Sequence, residues 1–228
     1  MKTRKSRPIA LYWINLDRST ERRENMLQLL KDSSFDGMKK TRIEAYDGSN
    51  AIVEKKMRTM IPMSEKVSVK EYACLLSHLK TILLFSKSNY DYALILEDDA
   101  SLDYKPYWRT TFMECIKGAP TGWEIIQLCF FGKSLPKQLY SPKHHYSTAA
   151  YIICKEGAKN LMKMYQNHFF NLDNSIKPTA DEYLYKALKT YVYRYPFFTY
   201  SNKDTTIFKK NELNHRGKQK QTLKKLLM

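Results

Sequence analysis

The sequence predicts an α/β fold in one domain, and three observations support this prediction. Apolar runs of strand length alternate with segments whose apolar residues recur at helical spacing. The central run, residues 93–96, is apolar without alternation, which is typical of a strand buried on both faces of a helix-covered sheet. Three acids, Glu97, Asp98 and Asp99, follow it directly. Functional groups collect at the carboxyl ends of such strands, so we expect the site there.

The first part of the chain predicts strands before the central run and one long helix leading into it. We expect strands at residues 9–16 and 42–46 and helices at residues 20–31 and 71–86, from apolar runs and helical spacing respectively. In the first helix Met26, Leu27, Leu29 and Leu30 are expected to face inward. Residues 49–70 are polar with little periodicity, and we interpret them as a loop with one helical turn that serves as a lid.

The second part continues the alternation and ends in a basic tail. We expect a helix at 107–116, strands at 123–130 and 149–154, helices at 155–165 and 181–189, and a strand at 191–195. The last strand precedes Pro196 and is interpreted as an edge strand. We divide the chain into a catalytic domain, residues 1–210, and a tail, residues 211–228. The tail is interpreted as a frayed, solvated terminus, with a short amphipathic helix as the alternative.

Composition limits the class of protein and of partner. The chain has 228 residues, of which 43% are hydrophobic, enough for a sizeable core in one domain. Lys and Arg number 39 against 23 Asp and Glu, a formal charge of +16 that favours anionic partners. Nucleic acid, nucleotides, phosphorylated glycans and an anionic membrane all meet that description. Neither the GxxxxGK[ST] phosphate loop nor the GxGxxG dinucleotide motif is present.

Cysteine spacing and the N-terminus predict a compartment. Cys74, Cys115, Cys129 and Cys154 are scattered without a close pair, which argues against a zinc site and favours reduced thiols. The apolar run after the basic N-terminus is interrupted at Asn15, too soon for a signal peptide or a membrane span. We expect a soluble cytoplasmic protein, with peripheral contact at the inner membrane face as an additional hypothesis.

The three acids and a group of cations predict an ion-binding site. Adjacent carboxylates repel one another, and oxygen ligands of this kind suit magnesium or manganese; the alternative is a solvated acidic turn. Arg18, Arg22 and Arg23 crowd the start of the first predicted helix, where the helix dipole disfavours cations. They either await an anion or are solvated surface arginines. His78, on the long helix, either reaches a phosphate or is a buried histidine with protein partners.

In their order along the chain, five motifs resemble those of glycosyltransferase family 25, which includes lipooligosaccharide and collagen galactosyltransferases. The matching segments are INLDR (14–18) with RR (22–23), EAYDG (44–48), EYACLLSH (71–78), LILEDDA (94–100), and AYII (150–153) with GA (157–158). One departure is Ala73, where the family usually has glycine before the cysteine. The resemblance implies a GT-A-like single domain with a mixed, mostly parallel sheet. It also implies a UDP-sugar donor, a divalent metal, usually Mn²⁺ with Mg²⁺ as the alternative, and inversion at the anomeric carbon.

The resemblance also implies roles for individual residues. Asp99 is expected to bind the metal, with Asp98 or Glu97 alongside or holding the ribose or a metal-bound water. Arg22, Arg23 and His78, together with Arg18, are candidates for the donor's diphosphate, and Asn15 and Asp47 for its nucleoside. Asp181 is the expected general base and Glu182 the second choice; the alternative is that Asp181 only caps its helix. His215 is a candidate late metal ligand.

The function expected from these residues is transfer of a hexose, galactose or glucose, from a UDP-sugar to a glycan acceptor such as lipooligosaccharide. A lipid-linked glycan at an anionic membrane suits the basic surface. One alternative is a collagen-like hydroxylysine glycosyltransferase, bacterial or viral, and another is a metal-dependent nucleotidyltransferase or hydrolase. A basic nucleic-acid-binding protein explains the charge but leaves the three acids unexplained, so we expect no nucleic acid partner.

Overall fold

The computed structural model describes residues 9–132, 134–200 and 214–227, with the side chains of residues 214–216 and 227 excepted. The strands in that part of the chain are β1 Ile9–Asn15, β2 Lys39–Glu44, β3 Tyr92–Glu97, β4 Ala100–Ser101, β5 Ile125–Gln127, β6 Tyr140–Ser141, β7 Ala150–Cys154, β8 Tyr165–Gln166, β9 Phe169–Phe170, β10 Thr190–Tyr193 and β11 Thr199–Tyr200. The α-helices are α1 Thr20–Leu29, α2 Ala51–Met57, α3 Val69–Ser86, α4 Phe112–Gly118, α5 Lys155–Met162, α6 Ala180–Ala187 and α7 Asn214–Leu227, and Ser33–Phe35 and Lys105–Tyr107 form short 3-10 helices.

Seven strands form one mixed sheet in the order β2-β1-β3-β7-β5-β10-β6. β1 pairs in parallel with both β2 and β3, and β10 pairs in parallel with β5. β7 is antiparallel to its neighbours β3 and β5, and β6 is antiparallel to β10. Five of the seven strands therefore run in one direction, and the predicted α/β architecture with a mixed, mostly parallel sheet is confirmed.

The central strands are buried on both faces, as the uninterrupted apolar runs predict. In β3, Ala93 and Ile95 belong to one hydrophobic cluster, while Leu94 and Leu96 belong to the other. The six apolar residues of β1 alternate in the same way, and all seven of its residues are buried. Helices α3, α5 and α6 contribute to the first cluster, and α1 and α4 to the second. The helices thus cover the two faces and leave the strand ends open.

The long helix α3 is fixed at its start by a capping box. Ser68 accepts a hydrogen bond from the backbone of Glu71, and the Glu71 carboxylate accepts one from the backbone of Ser68. Ser77, which interrupts the apolar stripe in the sequence, donates to the Ala73 carbonyl and accepts from the backbone of Tyr46. The hydroxyl therefore ties the middle of α3 to the segment that follows β2.

Several expectations differ from the structure. Residues 51–57 of the predicted loop form the two-turn helix α2, because Asn50 caps it by accepting from Ile52 and Val53. The prediction that the strand before Pro196 is an edge strand was wrong, since the short strand β6 pairs with β10 on its outer side. Leu27 was wrongly expected to face inward: it is 50% exposed, because Met26 of α1 and the C-cap residue Leu30 face the core instead.

The tail is ordered as α7 over residues 214–227, where fraying was expected. Gln219 is buried: its amide donates to the Phe130 carbonyl, and its side-chain oxygen accepts from the Tyr104 hydroxyl. Leu223 is buried as well. These contacts attach the helix to the body of the protein; the boundary at residue 210 stays a prediction. Across the residues that the structure describes, no helix is long and apolar enough to cross a membrane.

Candidate active site

The strand register places the expected site residues at one edge of the sheet. Ile14 in β1 lies opposite Glu97 in β3, so the next residues, Asn15 and Asp98, emerge side by side. β2 is parallel to β1 and delivers Asp47 shortly after its end. β7 runs antiparallel, and its first residues therefore begin at the same edge. Sequence position alone would not predict this last contribution.

Asp98 is held between an amide and a guanidinium. The Asn15 side chain donates to its Oδ2 at 2.7 Å, and Arg22 Nη1 donates to its Oδ1 at 2.7 Å. Burial nevertheless raises the pKa of Asp98, and the charge of Arg22 only partly offsets this. Arg22 was one of the cations expected either to await an anion or to be solvated at the surface. The anion that it meets is the chain's own acidic group, and its side chain is only 20% exposed.

Asp99 is the least satisfied of the three acids. Its Oδ1 is buried with no hydrogen-bond partner in the part of the chain that the structure describes. Its Oδ2 lies 3.9 Å from Arg22 Nη2, beyond hydrogen-bonding distance. Burial, reinforced by the nearby charges of Glu97 and Asp98, raises the pKa of Asp99 to about 7. A carboxylate in this position is stabilised by an additional cation.

Glu97 has partners other than those of Asp98, one on α3 and one just before β7. Thr148 donates to its Oε1 at 2.6 Å, and His78 Nε2 lies 3.2 Å from the same oxygen. Although burial opposes it, these contacts lower the pKa of Glu97. The second nitrogen of His78, Nδ1, lies 3.0 Å from the Tyr151 hydroxyl. The alternative of a buried histidine with protein partners describes His78, which is fully buried.

A cleft opens beside these residues at the ends of β1, β2 and β3. Seven of the eight residues expected to bind the donor line it: Asn15, Arg18, Arg22, Asp47, His78, Glu97 and Asp98. Arg18 Nε donates to Asp47 Oδ2 at 2.6 Å, and this hydrogen bond lowers the pKa of Asp47. Gly48 packs against the start of α3, where a Cβ would lie 2.7 Å from the Lys70 Cα. The absence of a side chain is thus a requirement of this wall.

Arg23 is placed behind the cleft and holds the residues that line it. It donates to Asn15 Oδ1 at 3.2 Å and to Asp17 Oδ1 at 2.9 Å. Arg42 reaches the same two acceptors, each at 3.0 Å. Two guanidinium groups therefore orient the Asn15 amide, whose nitrogen in turn donates to Asp98. The hydrogen bond from Arg42 lowers the pKa of Asp17, and the charge of Arg23 lowers it further.

Asp181 lies in the first turn of α6, where the residue in the N-cap position is Thr179. Its Oδ2 accepts from the backbone of Ser147 at 3.3 Å, and its Oδ1 accepts from the backbone of Glu182. It is close enough to Cys74 in the cleft for its charge, with that of Glu97, to add to the effect of burial in raising the thiol pKa. Glu182 instead pairs with Lys186 at 2.5 Å.

A buried chain of contacts joins the acids to Asp181. The rings of Tyr151 and Tyr185 lie edge to face with centroids 6.3 Å apart, and the Tyr185 hydroxyl donates to the Ser147 carbonyl at 2.7 Å. The backbone of Ser147, which has a left-handed φ of 107°, donates to Asp181. Such strain in a residue with a side chain is typical of functional sites.

The residues at the strand edge fit a hard divalent cation. Asp99 offers a buried oxygen without a described partner, and the donor set of Asp98 and Asp99 consists of oxygens. The side chain of His215, the candidate late metal ligand, lies outside the part of the chain that the structure describes.

Sequence reasoning missed four residues that hold the site: Arg42, Thr148, Tyr151 and Ser147. They are ordinary polar or aromatic residues within or beside predicted strands, and only the pairing of β2 and β7 at this edge brings them to the acids. The polar pair Ser147-Thr148 directly before an apolar strand was the one available signal.

Comparison with known proteins agrees with the motifs. The profile of glycosyltransferase family 25 (LPS biosynthesis protein) matches residues 9–176. A glycosyltransferase 25 family member from Anopheles gambiae is 28% identical over 176 residues, which is 67% of this chain and 28% of that protein. A second, from Drosophila melanogaster, is 26% identical over 172 residues, 67% of this chain and 27% of that protein. The chain thus spans little more than a quarter of the length of these relatives.

Two solved structures are distant in sequence. A glycosyltransferase involved in glycosylation of the major capsid of PBCV-1 has 10% identity and a TM-score of 0.48, with 86% of this chain and 95% of that chain covered. The Drosophila β-1,4-galactosyltransferase 7 mutant D211N, in complex with manganese, UDP-Gal and xylobiose, has 10% identity and a TM-score of 0.41, with coverages of 91% and 79%. The family profile covers most of the chain and includes the acidic strand end, and on this ground the chain belongs to glycosyltransferase family 25.

Proposed function

We propose that this protein is a metal-dependent inverting hexosyltransferase that moves galactose or glucose from a UDP-sugar to a glycan acceptor such as lipooligosaccharide. The observation that carries the proposal is the buried Asp99 carboxylate, with an oxygen that lacks a described partner, directly after Asp98, which lines a cleft together with Arg18 and Arg22. Family membership supports the reaction class.

In this proposal the donor lies in the cleft between β1, β2 and α3. Arg22 and Arg18 contact the diphosphate, exchanging their present carboxylate partners for phosphate oxygens. Asn15 and Asp47 contact the nucleoside from the strand ends. Arg23 contributes as a positioning residue, since it holds Asn15 and Asp17 behind the cleft.

Asp99 and Asp98 would hold a divalent cation, Mn²⁺ or Mg²⁺, and Glu97 supports the group from the His78 side. When bound, such an ion neutralises charge on the departing diphosphate. Before the donor and the ion bind, Asp98 holds Arg22 at the wall of the cleft, and Glu97 anchors the segment before β7 through Thr148.

Asp181 is the proposed general base. It takes the proton of the acceptor hydroxyl as that oxygen bonds to the anomeric carbon, and the bond from that carbon to the diphosphate breaks with its electron pair on the diphosphate. Hydrogen bonds from the backbone of Ser147 and Glu182 fix the carboxylate. Asp181 is preferred to Glu182 because the latter is paired with Lys186.

The test is a donor screen. The full chain is incubated with UDP-galactose, UDP-glucose and other nucleotide sugars, with Mn²⁺ or with chelator, and mass spectrometry follows the acceptor and free UDP. We expect transfer to a lipooligosaccharide or a collagen-like peptide acceptor, with Asp99→Asn and Asp181→Asn both reduced at least about 100-fold. Asp91→Asn, an exposed acid before the same strand, is the matched control. Full activity in Asp99→Asn, or release of UMP in place of UDP, would contradict the proposal.

A further inference from the structure

We propose that Cys74, His78 and Glu97 form a second metal site at the wall of the cleft, selective for zinc. The Cys74 Sγ, a His78 ring nitrogen and a Glu97 carboxylate oxygen all lie within 4.8 Å of one another. The three residues line the cleft, and Cys74 and Glu97 are partly exposed there, so an ion can reach the group from their side. This inference goes beyond the proposed function, because binding of zinc here does not require glycosyl transfer.

The local structure explains why two of the ligands converge. Cys74 and His78 are four residues apart on α3, so their side chains lie one above the other on the same helix face. That face is directed toward the end of β3, where Glu97 completes the group. Sequence spacing of the four cysteines argued against zinc, because a lone cysteine has no neighbouring cysteine to pair with. The fold supplies a histidine and a carboxylate in its place.

The distances are close to those of a tetrahedral site. Ligand atoms bound to one zinc ion are separated by about 3.3–3.8 Å, given its usual bond lengths to sulfur, nitrogen and oxygen. His78 Nε2 and Glu97 Oε1 are already 3.2 Å apart. The sulfur closes the remaining gap with a shift of about 1 Å, and the open side of the cleft leaves the fourth position to water.

Two further contacts hold the ligands in orientation. His78 Nδ1 lies 3.0 Å from the Tyr151 hydroxyl. When Nε2 binds the ion, Nδ1 therefore carries the ring proton and donates a hydrogen bond to that oxygen. Thr148 donates to Glu97 Oε1 at 2.6 Å and fixes the carboxylate. Outer partners of this kind accompany the ligands of most histidine metal sites.

The donor set distinguishes this site from the acids that follow it. Sulfur and imidazole favour zinc, whereas Asp98 and Asp99 offer only oxygens, which favour Mn²⁺ and Mg²⁺. On binding, the thiol proton passes to solvent, and thiolate and carboxylate together balance the two charges of the ion. Zinc would occupy Glu97 and His78 beside the proposed diphosphate position, so the site would act as an inhibitory one.

The test uses the metal-free full chain titrated with Co²⁺, a spectroscopic substitute for zinc. We expect a thiolate-to-cobalt charge-transfer band that Zn²⁺ abolishes stoichiometrically. Cys74→Ser removes the band and weakens Zn²⁺ binding at least about tenfold. Cys154→Ser is the matched control, because Cys154 caps α5 by accepting from the Gly157 backbone, which a serine hydroxyl can also do. Absence of the band in the wild-type protein, or its persistence in Cys74→Ser, overturns the proposal.

Two further arms separate this site from the acids and from misfolding. Asp99→Asn keeps the cobalt band; its loss there would assign the ion to the acids and overturn the proposal. In the unmutated protein, Zn²⁺ protects Cys74 from alkylation, as mapped by mass spectrometry, while Mn²⁺ does not. Equal labelling with both ions also overturns it. A protein without transferase activity but with an intact Cys74-dependent band contradicts only the proposed function.

Discussion

Replacement of Asp99 by asparagine should change how the stability of the metal-free protein depends on pH. The folded pKa of Asp99 is raised to about 7, chiefly by burial, from an ordinary value of 3.8. The folded state therefore holds a proton that the unfolded chain has lost, and stability falls as pH rises between these values. From about pH 5 to pH 7, each pH unit lowers the free energy of unfolding by up to about 1.4 kcal/mol, which gives about 2–3 kcal/mol in total.

Asparagine is neutral throughout, so this loss is absent in Asp99→Asn. Urea unfolding is measured in chelator at about pH 5 and about pH 8. The unfolding free energy of the variant, relative to that of the wild-type protein, should be about 2–3 kcal/mol higher at pH 8 than at pH 5. The variant Asp91→Asn, an exposed acid at the other end of the strand, should keep a constant offset from wild type. Addition of Mn²⁺ at the higher pH should stabilise the wild-type protein and leave Asp99→Asn unchanged.

The reasoning would be refuted by a constant offset between Asp99→Asn and the wild-type protein across this range. Such a result would mean that the Asp99 carboxylate is as well solvated in the folded protein as in the unfolded chain. The Asp99 oxygen without a described hydrogen-bond partner would then give no reason for a cation to bind there.

Three further predictions concern single contacts. Gly48→Ala should lower the unfolding free energy by about 1–3 kcal/mol, since its Cβ would meet backbone at 2.7 Å. Gly217→Ala, whose Cβ lies in open space on α7, should raise the unfolding free energy by up to about 1 kcal/mol. Equal melting temperatures of the two variants would contradict this. Thr148→Val should cost about 1.5–3 kcal/mol in urea by removing a hydrogen bond to a carboxylate, and an unchanged urea midpoint would count against it. The hydrogen bond from Lys105 lowers the pKa of Asp32 to about 2. Allowing for its partial exposure, Asp32 should contribute about 1 kcal/mol to the unfolding free energy above pH 4, and this contribution should be lost as pH falls toward 2. Asp32→Asn should therefore be less stable near neutrality and converge with wild type in acid; a gap that persists in acid would contradict the assignment.

Much of the fold could be predicted because its patterns are local. The run at residues 93–96 is apolar without alternation, and the structure divides those four residues between the two hydrophobic clusters. α3 begins at a capping box and follows its apolar spacing. Short elements were predicted less well. α2 depends on one cap at Asn50, and β6 forms only because a distant strand, β10, offers an edge to pair with.

The candidate site was predicted in part. Glu97, Asp98 and Asp99 were selected as candidates because three adjacent carboxylates follow a buried strand, and Arg22 because a cation there opposes the helix dipole. The sequence could not distinguish their partners. Asp98 pairs with Arg22 and Asn15, Glu97 with His78 and Thr148, and Asp99 Oδ1 with no described residue. These differences depend on side-chain direction, which the strand pairings fix.

By itself the sequence determined the alternation of strands and helices, the acidic end of the central strand and the family to which the chain belongs. These are properties of neighbouring residues and of their order. Only the tertiary structure decided that β7 runs antiparallel and brings Thr148 and Ser147 to the acids. It also decided that Cys74 and His78 on α3 meet Glu97. Such contacts join residues far apart in the chain, and they follow from how elements pack, which local composition does not encode.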